Sequence, residues 1–423
     1  MNQAFFLCSI YILGLFFSIV FLRGLRGVYI NIMSPFIGIG FYSLSVMILF
    51  VLNYPLTLSR LFLLTGIIWI CTYNIFKFQN SNNNSKIFTE IIFNRLFLFK
   101  SFVCFSAYFL LVLFCIKGFI TDASPDSTQY ESVGRFLAQG GTLKDDVSLK
   151  PFLINGRLVL VPAMIGIARL FGCYTPYAFY PMLSFWLLIT ITIILYDLMD
   201  NINRSHRLIL SLVFFLVLGF YKNFFNYSFD IGSNSVSMVF FSLSILSLLL
   251  FLKYEAHQWL YFGSVSVAIG TLARTDMLVF SLIYLFQLYR VCEQDSSSFI
   301  KAAFIFVILA FPWRIITFSF IPFVSFWYMT GFQMLQMLFL NIFAILTMII
   351  LFKLKISILH TLRAKNIGLI ILFLSMIIIS PDKVIFSFEL LFKYFLFGHN
   401  TWLFLTLAVL LFLLSFIMYD NIE

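Results

Sequence analysis

The chain has 423 residues, of which 62% are hydrophobic and only 10% are charged, and its formal net charge is +10. Soluble domains are about 45–50% apolar and about 25% charged, so this much apolar surface cannot be buried in a water-soluble core. The composition excludes a cytosolic globular enzyme, a disordered chain, a collagen-like fibre and a disulfide scaffold. It indicates an all-α, polytopic membrane protein.

Thirteen apolar runs are predicted to be transmembrane helices. In chain order they cover about 4–22, 28–52, 59–76, 98–119, 177–197, 207–221, 235–252, 259–273, 276–291, 300–320, 335–352, 366–380 and 401–419. The first run has no basic segment before it and is followed directly by further spans. We therefore expect a retained span and not a cleaved signal peptide.

The distribution of Lys and Arg predicts the orientation, because cytoplasmic loops carry the excess of basic residues. Fifteen of the 27 fall in one set of loops, which we assign to the cytoplasm: Arg23, Arg26, Lys77, Lys86, Arg95, Lys100, Arg204, Arg207, Lys253, Arg290, Lys301, Lys353, Lys355, Arg363 and Lys365. This assignment requires that segment 157–171 does not cross the membrane. We therefore expect that segment to be a helix at the outer surface, with the N-terminus outside and the C-terminus inside.

Two polar stretches interrupt the predicted spans. Residues 77–97 include the run Q-N-S-N-N-N-S from Gln79 and are predicted to be a flexible cytoplasmic linker. Residues 120–156 form the longest polar stretch, and they fall on the predicted outer face.

A short amphipathic helix is predicted inside this outer loop, over about 125–139. Ser124 is a good N-cap residue, and Pro125 suits the first helical position. Gly140 and Gly141 are expected to end the helix. Apolar residues recur at helical spacing between these signals, at Tyr130, Val133, Phe136 and Leu137.

Two carboxylates lie at the start of this helix, Asp126 in its first turn and Asp122 just before it. Asp126 has two interpretations: a carboxylate that stabilises the helix dipole, or a general base held at the membrane boundary. The mixed charges that follow, at Lys144, Asp145, Asp146 and Lys150, are typical of a solvated surface.

Arg157 and Arg169 flank the apolar segment that contains Pro162 and ends at Gly172. Basic residues in such positions contact lipid headgroups. They are also the residues that bind a phosphate. The sequence leaves both interpretations open.

Further charged residues lie at predicted outer helix ends. Arg274 and Asp276 occur in A-R-T-D between two spans, Arg314 follows Pro-Trp near the end of another, and Lys222 begins a polar loop. Ionisable groups at such depth line a cavity or pair with each other. Arg274 and Asp276 could form a structural pair, but several cations on the side of the loop carboxylates indicate a site for an anionic, lipid-borne ligand.

The cysteines and histidines indicate neither a disulfide nor a histidine metal site. The six cysteines lie mostly in apolar runs without a CxxC motif, and the four histidines are far apart in sequence.

Taken in order, four of these features resemble the type-C glycosyltransferases (GT-C), integral membrane enzymes that use polyprenyl-phosphate-linked sugars. The first is P-D-S-T-Q-Y from Pro125, followed by R-F-L from Arg135 and by Gly140, and the second is the segment from Arg157 to Gly172. The third is the small-residue stretch Gly263–Leu285, which contains I-G-T-L-A-R-T-D from Ile269, and the fourth is F-P-W-R from Phe311. The resemblance covers about residues 98–320. The chain departs from the family pattern in having four spans before the acidic loop instead of one.

The resemblance implies three segments. Residues 1–97 would be an N-terminal three-helix membrane segment plus linker, and 98–320 a GT-C-like catalytic module whose first outer loop, 120–176, carries two interfacial helices. Residues 321–423 would be C-terminal membrane helices.

The resemblance also implies an inverting transfer with a base for the acceptor hydroxyl and cations for the departing phosphate. Asp126 is then the expected base, with Asp122 as a helper or metal ligand. The expected phosphate ligands are Arg274 and, behind it, Arg157, Lys222 and Arg314. Substrate binding is expected at Tyr130, Glu131 and Asp276.

The implied partners are a polyprenyl-phosphate-linked sugar, a lipid-linked or polysaccharide acceptor and membrane lipids, without nucleic acid. Some family members use a divalent metal such as Mg²⁺ or Mn²⁺ and others use none, and two nearby carboxylates permit one without requiring it. The expected location is the bacterial inner membrane, with the active site facing the periplasm.

Two other classes remain open. The composition, rich in Phe, Ile, Leu, Asn and Ser, also resembles bacterial O-antigen polymerases, which join lipid-linked repeat units and use outer-loop cations. A flippase or transporter is the other alternative. Transporters commonly show inverted repeats and broken helices near the midplane, whereas the charges here concentrate toward the predicted outer face.

Overall fold

A computed structural model describes residues 2–23, 25–78, 95–117, 125–142, 160–173, 178–200, 202–219, 233–274, 277–292, 295–318, 339 and 341–350. These residues form helices and the turns between them, and no strand occurs among them. The helices follow the predicted apolar runs closely. The predicted spans at 366–380 and 401–419 lie outside the described residues.

The helices are numbered here in chain order. They are α1 (Asn2–Phe21), α2 (Gly27–Val51), α3 (Leu58–Phe78), α4 (Arg95–Lys117), α5 (Pro125–Ala138), α6 (Leu160–Leu170), α7 (Phe179–Leu198), α8 (Arg204–Gly219), α9 (Ser233–Tyr254), α10 (Gln258–Ala273), α11 (Met277–Val291), α12 (Ser296–Phe318) and α13 (Asn341–Ile350).

Large apolar side chains cover the outside of the bundle. On α4, Phe99 is 65% exposed, Phe102 68% and Leu110 66%, and α1, α3, α8 and α12 carry similar residues. Soluble proteins do not leave apolar surface of this extent in water. Five helices, α1, α2, α4, α7 and α9, are also long and apolar enough to cross a membrane. The protein is therefore an integral membrane protein.

Helix α2 lies at the centre of the bundle and packs against α1, α3, α4, α6 and α7. The Trp186 indole N–H donates to the Ile32 carbonyl oxygen at 2.8 Å, and the Tyr11 hydroxyl donates to Asn31 Oδ1 at the same distance. Because these buried polar groups find partners, a helix with no polar face can be buried on most sides. The proposed segments 1–97 and 98–320 are therefore divisions along the chain, since their helices pack together in one bundle.

Helices α9 and α10 pack side by side through small residues. A Cβ placed on Gly263 would lie 3.2 Å from Ser247 Cβ, and a Cβ on Gly270 would lie 3.4 Å from the Ser237 carbonyl oxygen. Small residues allow membrane helices to approach closely and gain van der Waals contact. This contact aligns the start of α9 with the end of α10.

One end of the bundle is held by a set of polar contacts that we call the Asp197 cluster. Its members are Arg26, Tyr29, Asp197, Asp200, Arg207, Lys253 and Tyr254. Arg26 contacts the Asp197 carboxylate at 3.1 Å, and the Tyr29 and Tyr254 hydroxyls donate to its other oxygen.

The rest of the cluster surrounds Asp200. Arg207 contacts this carboxylate at 3.1 Å, and Lys253 contacts it while also donating to the Asp197 carbonyl oxygen. The cluster therefore joins the ends of α2, α7, α8 and α9. Its three basic residues belong to the set that the Lys and Arg distribution assigned to the cytoplasm.

The other end of the bundle, called the Ser233 end, gathers the remaining helix ends. The Asn2 amide donates to the Gly172 carbonyl oxygen at 3.2 Å, and the Tyr130 hydroxyl donates to Ser233 Oγ at 2.9 Å. A Cβ on Gly140 would lie 3.3 Å from Pro55 Cβ, in the turn between α2 and α3. The N-terminus, that turn, α5 and the start of α9 are thus neighbours, as the predicted topology requires.

Candidate active site

Helix α5 has the bounds that its capping signals indicate, Pro125–Ala138 against the predicted 125–139. At its C-terminus the Gly140 N–H donates to the Leu137 carbonyl oxygen and the Gly141 N–H to that of Phe136. Gly140 has a φ of +87°, which a residue with a Cβ rarely adopts. The Gly-Gly pair therefore ends the helix, as expected from the sequence.

Helix α6 differs from the expected surface helix. It spans only Leu160–Leu170, about 16 Å at 1.5 Å per residue, which is too short to cross a membrane. All its residues from Leu160 to Ala168 are buried, and it packs against α2, α5 and α10. The helix is covered by protein because it has no polar face that could lie toward water.

Glycines allow α5 and α6 to approach closely. A Cβ on Gly134 would lie 2.4 Å from Ile165 Cγ2 and 3.2 Å from the Pro162 carbonyl oxygen, and one on Gly166 would lie 3.2 Å from the Gly134 carbonyl oxygen. The distances at Gly134 leave no room for a side chain, and a Cβ on Gly166 would need its neighbours to shift by a few tenths of an ångström. The two short helices therefore form one compact unit at the Ser233 end.

Tyr130, expected to bind substrate, connects α5 to the long apolar helix α9. Its side chain is 4% exposed, and its hydroxyl donates to Ser233 Oγ at the first residue of α9. A buried tyrosine hydroxyl needs such a partner. The contact ties α5 to the end of the bundle.

Glu131, also expected to bind substrate, is buried and paired. It is 7% exposed, and its Oε1 contacts both Arg169 of α6 and Arg135 of α5, the latter at 3.3 Å. The side chain of Arg169 is 16% exposed and that of Arg135 is 61% exposed. Removing one partner of a buried pair costs about 3–5 kcal/mol, whereas an exposed i,i+4 pair contributes about 0.3–0.5 kcal/mol. The Glu131–Arg169 contact is therefore the important one.

The contact between Glu131 and Arg169 was not foreseen from the sequence, which left Arg169 as a headgroup or phosphate ligand. Its side chain lies inside the protein against Glu131. The signal in the sequence was Glu131, a carboxylate next to the apolar residues of α5, which suggested a buried charge with a partner. The sequence could not show which residue this partner is, because Arg169 belongs to another helix.

Arg274, the expected phosphate ligand, lies at the same end of the bundle. It follows α10 in extended backbone, with φ −146° and ψ 143°, and is half-buried; its N–H donates to the Gly270 carbonyl oxygen. Gly270 lies beside Ser237. Since Arg274 is one turn beyond Gly270 and Ser233 is one turn before Ser237, the ends of α9 and α10 are adjacent.

The other expected site residues are described less fully. Asp126 is the second residue of α5, and Arg314 lies in α12 about 27 Å from its start at 1.5 Å per residue, toward the Ser233 end. For Asp126 and Arg314 the structure describes the backbone but not the side chain. Asp122, Arg157, Lys222 and Asp276 lie outside the described residues. The described part of the chain therefore brings together Tyr130, Glu131 and the start of α5 with Arg274 at one end.

A divalent metal needs several oxygen ligands. Within the described ranges, no group of three or more His, Cys, Asp or Glu residues is placed to hold one. Glu131, the described carboxylate of α5, already accepts from two arginines. Glu131 therefore does not fit as a metal ligand, whereas Asp122 and the carboxylate of Asp126 lie outside the described residues.

Comparison with known proteins identifies no relative: no family model, curated protein or solved structure matches the chain.

Proposed function

We propose that this protein is a GT-C-like glycosyltransferase, which moves a sugar from a polyprenyl phosphate to a lipid-linked glycan or surface polysaccharide. The observation that carries the proposal is the docking of α5, with Asp126 in its first turn, at the bundle end that also holds Arg274. A carboxylate and a cation at one membrane-proximal end are what transfer from a lipid phosphate requires.

The proposal includes a topology of thirteen spans, with the Asp197 cluster in the cytoplasm and the Ser233 end outside. In a bacterial inner membrane the Ser233 end would face the periplasm. The joining of Arg26, Arg207 and Lys253 at one end supports this orientation, because the basic loops of a membrane protein face the cytoplasm. The two short helices α5 and α6 would then cover the outer side of the active site.

The reaction follows from the roles of two residues. Asp126 takes the proton from the acceptor hydroxyl as its oxygen attacks the anomeric carbon from the face opposite the phosphate. The bond between the anomeric carbon and the phosphate oxygen breaks, and the electron pair leaves with the polyprenyl phosphate. Arg274 stabilises the negative charge on this phosphate, and Arg157, Lys222 and Arg314 are the further candidates for this role. The product is the inverted glycoside.

The test uses the purified protein in detergent with a polyprenyl-phosphate-linked sugar and a lipid-linked acceptor. We expect transfer of a single sugar and release of polyprenyl phosphate. Products in a ladder from diphosphate-linked repeat units would favour the polymerase instead. Movement of the lipid across a vesicle membrane without bond formation would favour a flippase. A parallel sample with a chelator tests whether Mg²⁺ or Mn²⁺ takes part.

Asp126→Asn tests the base directly. General base catalysis contributes about 10²–10⁴-fold, so the rate of transfer should fall by that factor. The matched control is Asp145→Asn, which removes a carboxylate from the part of the same loop that the sequence predicts to be solvated, and it should retain full activity. Full activity in Asp126→Asn would exclude Asp126 as the base.

A further inference from the structure

Glu131 has the contacts of a residue that fixes the orientation of a helix. It is buried, its Oε1 is shared by Arg169 and Arg135, and its Oε2 has no hydrogen-bond partner among the described residues. A substrate hydroxyl at Oε1 would have to compete with two guanidinium groups. Through Oε1 the carboxylate therefore joins α5 to α6.

Two adjacent residues hold α5 from different directions. The Tyr130 hydroxyl contacts Ser233 of α9, and the Glu131 carboxylate contacts Arg169 of α6. Successive residues are about 100° apart around a helix, so these two contacts restrain both rotation and translation of α5.

Asp126 lies on the same rigid helix. It is five residues before Glu131, which places its Cα about 7.5 Å along the helix axis and about 140° around it. Any rotation of α5 at Glu131 therefore also displaces Asp126. A displacement of about 1 Å in a catalytic group costs about 10²-fold in rate.

We propose that Glu131 is a positioning residue that, through Arg169, sets the orientation of α5 and so the location of Asp126. This inference rests on the proposed function, in which Asp126 is the base. It replaces the substrate-binding role that the resemblance implied for Glu131.

The test compares three glutamine variants in the transfer assay. Glu131→Gln and Arg169→Gln should each lower kcat about 10- to 100-fold and change the donor KM less than twofold. Arg135→Gln is the matched control, because it removes the exposed partner of the same carboxylate, and it should keep more than half the activity. The Glu131→Gln/Arg169→Gln double variant should be no less active than either single variant, since no charge is left unpaired.

Amide hydrogen exchange of α5 gives a readout that does not need activity. Exchange across residues 125–138 should be faster in Glu131→Gln and Arg169→Gln than in the parent protein, and unchanged in Arg135→Gln. If the parent protein transfers no sugar, the proposed function fails, while the exchange data still test the anchoring of α5. Arg169→Lys, which keeps the charge, should recover most of the protection if Arg169→Gln folds poorly.

Three results would overturn the inference. The first is a donor KM that rises tenfold or more in Glu131→Gln with kcat unchanged, which would return Glu131 to substrate binding. The second is full activity with unchanged exchange. The third is a loss of kcat without faster exchange in α5.

Discussion

At the Asp197 end, Asp197 and Asp200 at the end of α7 contact three basic side chains and two tyrosine hydroxyls from three other helices. At the Ser233 end, Glu131 contacts two arginines, one from α5 and one from α6. The first set joins long helices directly to each other. The second joins two short helices that do not span the bundle. Charged side chains thus join the long helices to each other at the Asp197 end, and they hold the short helix α5 against α6 at the Ser233 end.

This contrast indicates where substitutions should affect stability and where they should affect chemistry. A change in the Asp197 cluster removes contacts between transmembrane helices and should lower the free energy of unfolding. A change at the Ser233 end should lower the rate of transfer while the bundle stays folded.

Within the Asp197 cluster, the largest effect on stability is expected for Asp197→Ala. The substitution leaves Arg26 and the hydroxyls of Tyr29 and Tyr254 without their shared acceptor, and we expect a loss of about 3 kcal/mol. Thermal unfolding in detergent measures it. The control is Asp200→Ala, whose side chain is 54% exposed and which should cost about 1 kcal/mol or less. Equal losses would contradict the central role of Asp197.

Arg274→Gln should be the strongest change in rate after Asp126→Asn. Losing one charge-stabilising group costs about 10²–10³-fold in kcat, and Arg274→Lys should recover part of it. Arg290→Gln is the comparison, because that arginine lies in the last turn of α11, at the predicted cytoplasmic end. A similar loss in both variants would show that the effect is not specific to the Ser233 end.

Gly134→Ala tests the contact between α5 and α6. The new Cβ would lie 2.4 Å from Ile165 Cγ2, so we expect about 1–3 kcal/mol of destabilisation together with reduced transfer. Gly66→Ala is the matched substitution on α3, where no atom lies within 4 Å of the new Cβ. There, helix propensity alone should leave stability unchanged or raise it by up to about 1 kcal/mol. If Gly134→Ala were as stable as Gly66→Ala, the close packing would be wrong.

The smallest effect is expected for Asp295→Ala, in the turn before α12. Asp295 Oδ1 accepts from the Ser298 N–H at 3.1 Å, and Oδ2 lies 3.0 Å from His257 Nε2. Hydrogen bonds from Ser298, with a smaller effect of His257, hold the pKa of Asp295 below its ordinary value of 3.8, against the opposing effect of burial. Loss of a helix cap costs about 1 kcal/mol.

The pH dependence of this variant has a defined sign. Because the pKa is lowered on folding, the contribution of the carboxylate is complete above the unfolded pKa of 3.8 and is lost as the pH falls through the lower folded value. The difference in melting temperature between the parent and Asp295→Ala should thus be constant from pH 7 to 5 and shrink below about pH 4. A difference in melting temperature that grows as the pH falls would contradict the lowered pKa of Asp295.

The sequence predicted the helices well, because long apolar runs and Gly-Gly endings are local signals. The end of α5 before Gly140 is an example. The sequence also predicted that segment 157–171 does not span the membrane, and this stays a prediction. It did not predict that α6 is buried, although the run L-V-P-A-M-I-G-I-A has no polar face.

The polar contacts were less predictable. The pairing of Glu131 with Arg169, and the gathering of Tyr29 and Tyr254 on Asp197, depend on which helices are neighbours. No local pattern contains that information. The assignments of Asp126 and Arg274 came from motif order, and they stay predictions about chemistry.

The central claim is that the Ser233 end performs the chemistry and the Asp197 end supports the fold. The most direct test measures melting temperature and the rate of sugar transfer per folded molecule for Asp126→Asn and Asp197→Ala side by side. The account predicts that Asp126→Asn melts like the parent protein and loses at least about 10²-fold in rate. It predicts that Asp197→Ala melts lower and keeps its rate below the melting transition. Normal transfer by Asp126→Asn, or a loss of rate in folded Asp197→Ala equal to that of Asp126→Asn, would contradict the account.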